Sequence, residues 1–280
     1  MLPRKVIQVR HGLSWGNKFQ KKDGPLFPSN FEKFPSNLYG LTQEGIDQAN
    51  SAGIWLKKNV KQVDQIFSST ALRCTETAFY SNILKYYTNA GLRTDPRIVE
   101  INWGDLDNTP YEDREKYAIR FMKRGYDGLS FCPPGGETII QGMMRAHNFH
   151  QMLCRQHAGQ SIVVFTHGGL MDCHALSTLK DNGLTFHEKV QNSVKPYRNR
   201  NCQIVEWTTE NPWNGEISDK YTFFRSVCPW DPNDEAIWEP IFKTQFTHET
   251  LGDFVNQTRE RQVYPALLEL DIDPTYLQNL

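Results

Sequence analysis

Short apolar runs recur along the chain, separated by longer amphipathic segments and by clusters of turn-forming residues. The runs that predict β-strands are residues 5–9 (KVIQV), 63–69 (VDQIFSS), 97–101 (RIVEI), 161–165 (SIVVF), 202–207 (CQIVEW) and 220–224 (KYTFF). The run at 161–165 is the most uniformly apolar, which is typical of a strand covered on both faces of its sheet.

Segments with a helical period lie between these runs. Thr42 is placed to cap a helix in residues 41–58. The apolar face of that helix consists of Ile46, Ala49, Gly53 and Leu56. Further helices are predicted at residues 70–87, 111–123 and 138–156. The alternation of strands and helices predicts an α/β fold, a three-layer α/β/α sandwich around a mainly parallel central sheet.

Two segments depart from this alternation. Residues 18–40 contain three prolines, two glycines and five aromatic residues without a helical or strand period, which predicts a long loop. From Cys228 onward the chain is marked by proline and tryptophan and ends in predicted helices. We therefore expect a main domain at residues 1–228 and a helical extension at residues 229–280 that packs on or caps it.

Charge and cysteine content narrow the class of protein. Lys and Arg total 31 against 32 Asp and Glu, so the formal charge of -1 gives no overall attraction to nucleic acid or to an anionic membrane. The six cysteines form no C-x-x-C pair, which favours reduced thiols over a zinc ribbon or a disulfide framework. The N-terminal apolar run is too short for a signal peptide or a membrane span, so we expect a cytoplasmic protein. The oligomeric state is left open.

Polar residues suited to phosphate chemistry follow the predicted strands. Arg10 and His11 follow the first strand, Arg73 comes soon after the second, Glu100 lies near the third, and His167 follows 161–165. Because parallel sheets bind ligands at the carboxyl ends of their strands, these residues are expected to converge. Guanidinium groups suit phosphate oxygens, imidazoles supply a nucleophile, and a carboxyl group supplies a proton.

Five motifs occur in an order that matches a known family. They are R-H-G at 10–12, L-T-x-x-G-x-x-Q-A at 41–49, S-S-x-x-x-R-x-x-x-T-A at 68–78, a Glu four residues before Gly104, and H-G-G at 167–169. Together they resemble the histidine phosphatase superfamily, the phosphoglycerate-mutase-like proteins. The resemblance runs from about Lys5 to about Trp207.

The resemblance implies a role for each residue of the predicted site. His11 is the nucleophile that takes up the phosphoryl group, while Arg10, Arg73 and His167 hold its oxygens. Asn17 matches an additional phosphate-contacting asparagine. Glu100 matches the acid that protonates the leaving oxygen and then activates water, which favours faster turnover at mildly acidic pH. The arginines and a protonated His167 supply the positive charge, so no metal or other cofactor is required.

The resemblance leaves three activities open. A phosphatase is favoured for two reasons. His167 is followed by Gly-Gly, where the mutases usually have Gly-Asn. Lys123 and Arg124 stand in the place of the arginine-rich segment of the mutases, but the PPGGET that follows them resembles the phosphatase branch. A phosphoglycerate mutase is the main alternative. A catalytically weak phosphate-binding or scaffold protein is the third, because Leu13 stands where many relatives have a glutamate after R-H-G. The expected substrate is a phosphorylated small molecule or a phosphoprotein.

A second phosphatase motif is also present. Asp105 and Asp107 spell the D-x-D-x-T of haloacid-dehalogenase-like enzymes, which use a nucleophilic aspartate with magnesium. That motif requires an apolar strand directly before its first aspartate, and here INWG intervenes. We interpret it as a turn sequence.

Overall fold

A computed structural model describes residues 1–20, 35–107, 109–110, 114, 116, 129–197, 199–243 and 245–262. The predicted helix at 111–123 falls almost wholly outside the described residues, as do residues 21–34 of the predicted loop. At the start of that loop, the Ser14 side chain caps a short helix, Trp15–Phe19.

The described residues form one sheet of seven strands. The strands are β1 (Lys5–Arg10), β2 (Gln65–Ser68), β3 (Leu92–Thr94), β4 (Ser161–Thr166), β5 (Ile204–Thr208), β6 (Phe223–Val227) and β7 (Trp238–Pro240). Their order is β3-β2-β4-β1-β5-β6-β7. Pairing is parallel from β3 to β1 and antiparallel from β1 to β7, so the sheet is mixed beyond its parallel half.

The described residues form eight α-helices, and the first five of them lie between the strands of the parallel half. They are α1 (Trp15–Phe19), α2 (Gln43–Asn59), α3 (Leu72–Tyr80), α4 (Ile83–Tyr86), α5 (Ile139–Gln156), α6 (Gly168–Leu179), α7 (Gly183–Gln191) and α8 (His248–Gln262). The predicted cap of α2 is confirmed, because the Thr42 hydroxyl accepts a hydrogen bond from the Gly45 amide. Thr138 and Gln141 form a capping box at the start of α5.

Two hydrophobic clusters lie on opposite faces of the sheet. On β4, Val163 and Phe165 belong to one cluster together with Ala52 and Leu56 of α2. The intervening residues Ile162 and Val164 belong to the other cluster, together with Leu153 of α5 and Leu170 of α6. Since successive side chains of a strand point to opposite faces, the uniformly apolar β4 packs against the helices on both faces of the sheet. The predicted three-layer α/β/α sandwich is confirmed.

The strand predicted at 97–101 is wrong. Asp95 instead caps a 3-10 turn at Pro96–Ile98, its carboxylate accepting from the Arg97 amide at 2.8 Å. Proline suits the start of a helical turn because it lacks an amide donor and has a fixed φ. The edge strand is β3, which precedes this turn, and the chain then runs in an irregular extended path through Glu100.

The C-terminal part contributes a strand that the sequence did not predict. β7 pairs with β6, so residues 238–240 extend the central sheet. The predicted strand at 220–224 begins later, at Phe223, and α8 follows β7. The domain boundary at residue 228 remains a prediction. None of the described helices is long and apolar enough to cross a membrane.

Candidate active site

Two histidines emerge side by side where β1 and β4 end. Arg10 is in register with Thr166, so the residues that follow them, His11 and His167, leave neighbouring parallel strands at the same edge. The His11 amide donates to the Thr166 carbonyl at 3.0 Å, and the two imidazole centroids are 5.2 Å apart. The parallel half of the sheet thus brings the two predicted histidines together.

The His11 imidazole is held in one tautomer. Its Nδ1 lies 2.8 Å from the carbonyl oxygen of Gly12, and since a carbonyl can only accept, Nδ1 carries the hydrogen. The lone pair is therefore on Nε2. Burial, followed by the charges of Arg73 and Arg10, lowers the pKa of His11 well below its usual value of 6.5. The result is a neutral imidazole with a nucleophilic Nε2.

His167 is also neutral in this arrangement. Nη2 of Arg73 donates to His167 Nδ1 at 3.0 Å, so Nε2 carries the hydrogen and donates to the Ser69 hydroxyl at 2.9 Å. Burial and the nearby charge of Arg73 lower the pKa of His167 well below 6.5. His167 is therefore neutral in this arrangement, not protonated as the sequence had led us to expect. The guanidinium groups carry the positive charge instead.

Two guanidinium groups flank His11. Arg73 lies in the first turn of α3, and its Nη1 donates to the Ser36 carbonyl at 2.7 Å. Arg10 donates through Nη1 to the Asn199 carbonyl, while its buried Nε has no hydrogen-bond partner among the described residues. A buried cationic donor that lacks a partner is suited to bind an anion.

Asn17 is oriented by its own neighbours. As the third residue of α1 it completes the capping box with Ser14. Its side-chain Oδ1 lies 3.1 Å from the Ser14 hydroxyl and accepts from Asn201 Nδ2 at 3.2 Å. These bonds fix the orientation of the amide, and its nitrogen, the only donor of this side chain, is left to bind an anion.

Glu100 lies against the N-terminus of α6, which begins directly after His167. Its Oε1 accepts from the Ile101 amide at 2.9 Å. A Cβ added to Gly169 would approach that oxygen to 2.7 Å, so glycine leaves room for the carboxylate. The half-buried Glu100 therefore joins His11 and His167 at the carboxyl end of the parallel strands.

A salt bridge braces the irregular segment that carries Glu100. Arg145 of α5 donates to the Arg97 and Val99 carbonyls at 2.7 and 3.1 Å, and to the Glu100 carbonyl at 3.2 Å. The Arg145 guanidinium also pairs with both carboxylate oxygens of Glu137, at 3.0 and 2.5 Å. These bonds replace the strand pairing that this segment lacks.

Close backbone contact joins the R-H-G motif to the L-T-x-x-G motif. A Cβ on Gly12 would lie 2.4 Å from the Gly45 carbonyl oxygen, and a Cβ on Gly45 would lie 2.2 Å from the Leu13 carbonyl oxygen. That Leu13 oxygen accepts from the amide and the hydroxyl of Thr42, at 2.9 and 3.1 Å. These bonds use the backbone of residue 13, so leucine in place of glutamate leaves them intact.

Three supporting residues were missed by the sequence analysis. Ser69 accepts from His167, Arg145 holds the Glu100 segment, and Asn201 joins His11 to Asn17. Ser69 stands in the S-S motif, and that was the available signal. Nothing in the local sequence marks Arg145, because its partners are backbone carbonyls about 45 residues away along the chain.

The D-x-D-x-T motif does not have the strand-end placement that an aspartate-dependent phosphatase requires. Asp105 is exposed in a 3-10 turn, Gly104–Leu106, and no strand directly precedes it in the described segment 95–107. Asp107 lies 3.6 Å from an Arg114 guanidinium nitrogen. Within the described parts of the chain, no group of three or more His, Cys, Asp and Glu side chains is arranged to hold a metal ion.

Comparisons of sequence point to phosphoryl-transferring proteins. The sequence profile of the histidine phosphatase superfamily (branch 1) matches residues 30–213, a range that contains Arg73, Glu100 and His167 but begins after His11. The 2,3-bisphosphoglycerate-dependent phosphoglycerate mutase of Methylorubrum populi is 33% identical over 175 residues, 60% of this chain and 75% of the mutase. The fructose-2,6-bisphosphatase TIGAR of Xenopus laevis is 32% identical over 126 residues, 44% of this chain and 43% of that protein.

Solved structures share the fold over most of the chain. Mycobacterial glucosyl-3-phosphoglycerate phosphatase, in complex with VO3, superposes with a TM-score of 0.57 at 19% identity and covers 85% of this chain and 97% of its own. Phosphoserine phosphatase of Entamoeba histolytica, in complex with 3-phosphoglyceric acid, gives 0.55 at 23% identity, with 73% and 90% covered. At these identities the similarity shows the fold alone.

Proposed function

This chain belongs to the histidine phosphatase superfamily (branch 1), and we propose that it is a phosphatase that hydrolyses a phosphate monoester through a phosphohistidine at His11. The observation that carries the proposal is the buried His11 imidazole, fixed with its lone pair on Nε2 and flanked by two guanidinium groups. Such an imidazole is uncharged near neutral pH, as a nucleophile must be.

In the first step the substrate phosphate binds Arg10, Arg73 and the Asn17 amide nitrogen. The His11 Nε2 lone pair attacks phosphorus in line with the ester oxygen, so an N–P bond forms as the P–O bond breaks. Glu100 donates its proton to the departing oxygen, which leaves as an alcohol. The two guanidinium groups stabilise the charge on the phosphoryl oxygens, so the step needs no metal.

In the second step water attacks the phosphohistidine. The Glu100 carboxylate accepts a proton from the water as the new P–O bond forms and the N–P bond breaks. Inorganic phosphate leaves, His11 regains its Nε2 lone pair, and Glu100 is protonated again. Atoms and charges then stand as they did at the start of the cycle.

A mutase is the second candidate, favoured by the 33% identity to the Methylorubrum mutase. In a mutase the phosphohistidine passes its phosphoryl group to a second hydroxyl before water reaches it. Gly169, where the mutases usually have asparagine, supports hydrolysis instead. A requirement for 2,3-bisphosphoglycerate, with isomerisation faster than phosphate release, would establish the mutase.

The decisive experiment measures phosphate release from an aryl phosphate and from the compounds named for the relatives. These are fructose 2,6-bisphosphate, phosphoserine and glucosyl-3-phosphoglycerate. Wild type is expected to turn over with and without EDTA, whereas His11→Ala falls to background. His147→Ala is the matched control, because His147 is exposed on α5. Turnover abolished by EDTA but kept by His11→Ala would overturn the proposal.

A further inference from the structure

The turn before β5, residues 199–203, lies against the end of β1. Nη1 of Arg10 donates to the Asn199 carbonyl, and the Arg10 amide donates to the Gln203 carbonyl at 3.0 Å. The Cys202 amide donates to the His11 carbonyl at 3.2 Å. These three hydrogen bonds of the turn therefore fall on Arg10 and His11, the two residues that begin the R-H-G motif.

One side chain in this turn bridges two parts of the phosphate site. The Asn201 amide nitrogen donates to the His11 carbonyl at 3.1 Å and to Asn17 Oδ1 at 3.2 Å. It thereby holds the backbone of the nucleophile and occupies the oxygen of Asn17. The next residue, Cys202, has a left-handed φ of 53°, a conformation that costs energy for any residue other than glycine. Strain of this kind persists only where the surroundings fix the chain.

The segment after β6 provides that fixation. The Trp230 indole Nε1 donates to the Asn201 carbonyl at 2.7 Å. The Arg200 guanidinium stacks 5.3 Å from the Trp230 ring and pairs with Asp231 and Asp234, at 2.7 and 2.6 Å. Residues 230–234 are therefore fastened to the turn by an indole hydrogen bond, a cation–π contact and two ion pairs.

We propose that Asn201 is a positioning residue of the phosphate site and that Trp230 holds it in place. By donating to Oδ1 of Asn17, Asn201 fixes the orientation of that amide, so that the Asn17 amide nitrogen faces the phosphate. By donating to the His11 carbonyl, it fixes the loop on which the nucleophile sits. This inference rests on the proposed function, and it makes the chain beyond residue 228 part of the same site.

The test compares affinity for orthovanadate, a phosphate mimic, with kcat and KM for an aryl phosphate. Asn201→Ala is expected to weaken orthovanadate binding by about tenfold, the effect of losing two neutral hydrogen bonds. Asn201→Leu keeps much of the volume and removes the donor without adding a charge, so it should bind no better than Asn201→Ala. A role in packing alone would leave Asn201→Leu close to wild type and would overturn the inference.

Trp230→Phe tests the link to residues 230–234, because it keeps an aromatic ring and removes the N–H donor. It is expected to weaken orthovanadate binding by about threefold, and to have little further effect in the Asn201→Ala background. Asn233→Ala is the matched control, since Asn233 is exposed in the same segment and bonds through its backbone to Asp231. Additive effects of Asn201→Ala and Trp230→Phe would contradict the proposed coupling.

The design separates the two proposals. Wild type that binds orthovanadate but turns over no substrate would contradict the phosphatase, while the variants would still decide the role of Asn201. Wild type that does neither would overturn both. Melting temperatures of all variants identify a loss of binding that comes from unfolding.

Discussion

At the scale of single residues, the protonation of His11 and His167 is the feature that sets the chemistry. The sequence predicted both histidines and both arginines through the motifs at strand ends. It could not predict which ring nitrogen carries the hydrogen, because that depends on the Gly12 carbonyl and on Arg73. The expected positive charge on His167 was wrong for the same reason, since burial beside a guanidinium favours the neutral ring.

The lowered pKa of His11 predicts the acid side of the pH–rate profile. Because the folded pKa lies well below 6.5, the nucleophile stays neutral as the pH falls through the usual histidine range. The acid limb of kcat/KM for an aryl phosphate should therefore lie well below pH 6.5. A half-maximal point at or above pH 6.5, measured in buffers of constant ionic strength, would contradict this assignment.

Gly169 predicts how the position of Glu100 controls hydrolysis. A side chain at residue 169 would meet the Glu100 carboxylate at 2.7 Å, so Gly169→Asn must displace that carboxylate. We expect kcat for an unactivated ester to fall by about tenfold or more, since general acid catalysis is worth about 10²–10⁴-fold. An aryl phosphate, whose leaving group needs little protonation, should be affected less. Equal losses for both substrates would contradict the role of Glu100.

At the scale of elements, regular patterns were predicted well and irregular segments were not. β4, the cap of α2 and the helical range of α5 follow from local periodicity and capping residues. The segment 97–101 has an apolar pattern but no strand partner, because Pro96 starts a 3-10 turn and Arg145 binds its carbonyl groups. Such long-range contacts are not encoded in a local period.

The hydrogen bonds from Arg145 to the segment that carries Glu100 predict the effect of removing this arginine. Arg145→Met keeps much of the apolar stem but removes donors to three backbone carbonyls and the partner of Glu137. We expect kcat to fall because Glu100 is no longer held, while KM and orthovanadate affinity change little. Arg155→Met, an exposed position on the same helix, should behave as wild type. A parallel loss of orthovanadate affinity would place Arg145 in phosphate binding instead.

At the scale of the whole molecule, the layer formed by α5 and α6 against the sheet contains an unusual polar cluster. His150 and His174 lie with ring centroids 5.4 Å apart, and Tyr221 lies 5.6 Å from His150. The Nδ1 atoms of both histidines and the Tyr221 hydroxyl are buried without a hydrogen-bond partner among the described residues. Burial lowers the pKa of His150 to about 4 and that of His174 to about 3.

These lowered pKa values predict loss of stability in acid. Below the unfolded pKa of 6.5 the unfolded chain binds protons that the folded protein excludes, so the free energy of unfolding decreases as the pH falls. Each histidine contributes up to about 1.4 kcal/mol per pH unit down to its folded pKa. His174→Phe should reduce that slope between pH 6.5 and 4.5 in urea unfolding. His248→Ala, an exposed control on α8, should not; an unchanged slope in His174→Phe would contradict the effect assigned to burial.

The proposed mechanism passes through one covalent bond, between phosphorus and Nε2 of His11, and trapping that bond tests it directly. Wild-type protein mixed with an excess of a substrate that it turns over, quenched in alkali to preserve phosphohistidine, and digested for mass spectrometry should carry phosphate on the peptide that contains His11. Glu100→Gln should accumulate more of this species from an aryl phosphate, because the second step lacks its base. Turnover without phosphate on His11 in either protein, or phosphate on Asp105, would contradict the account.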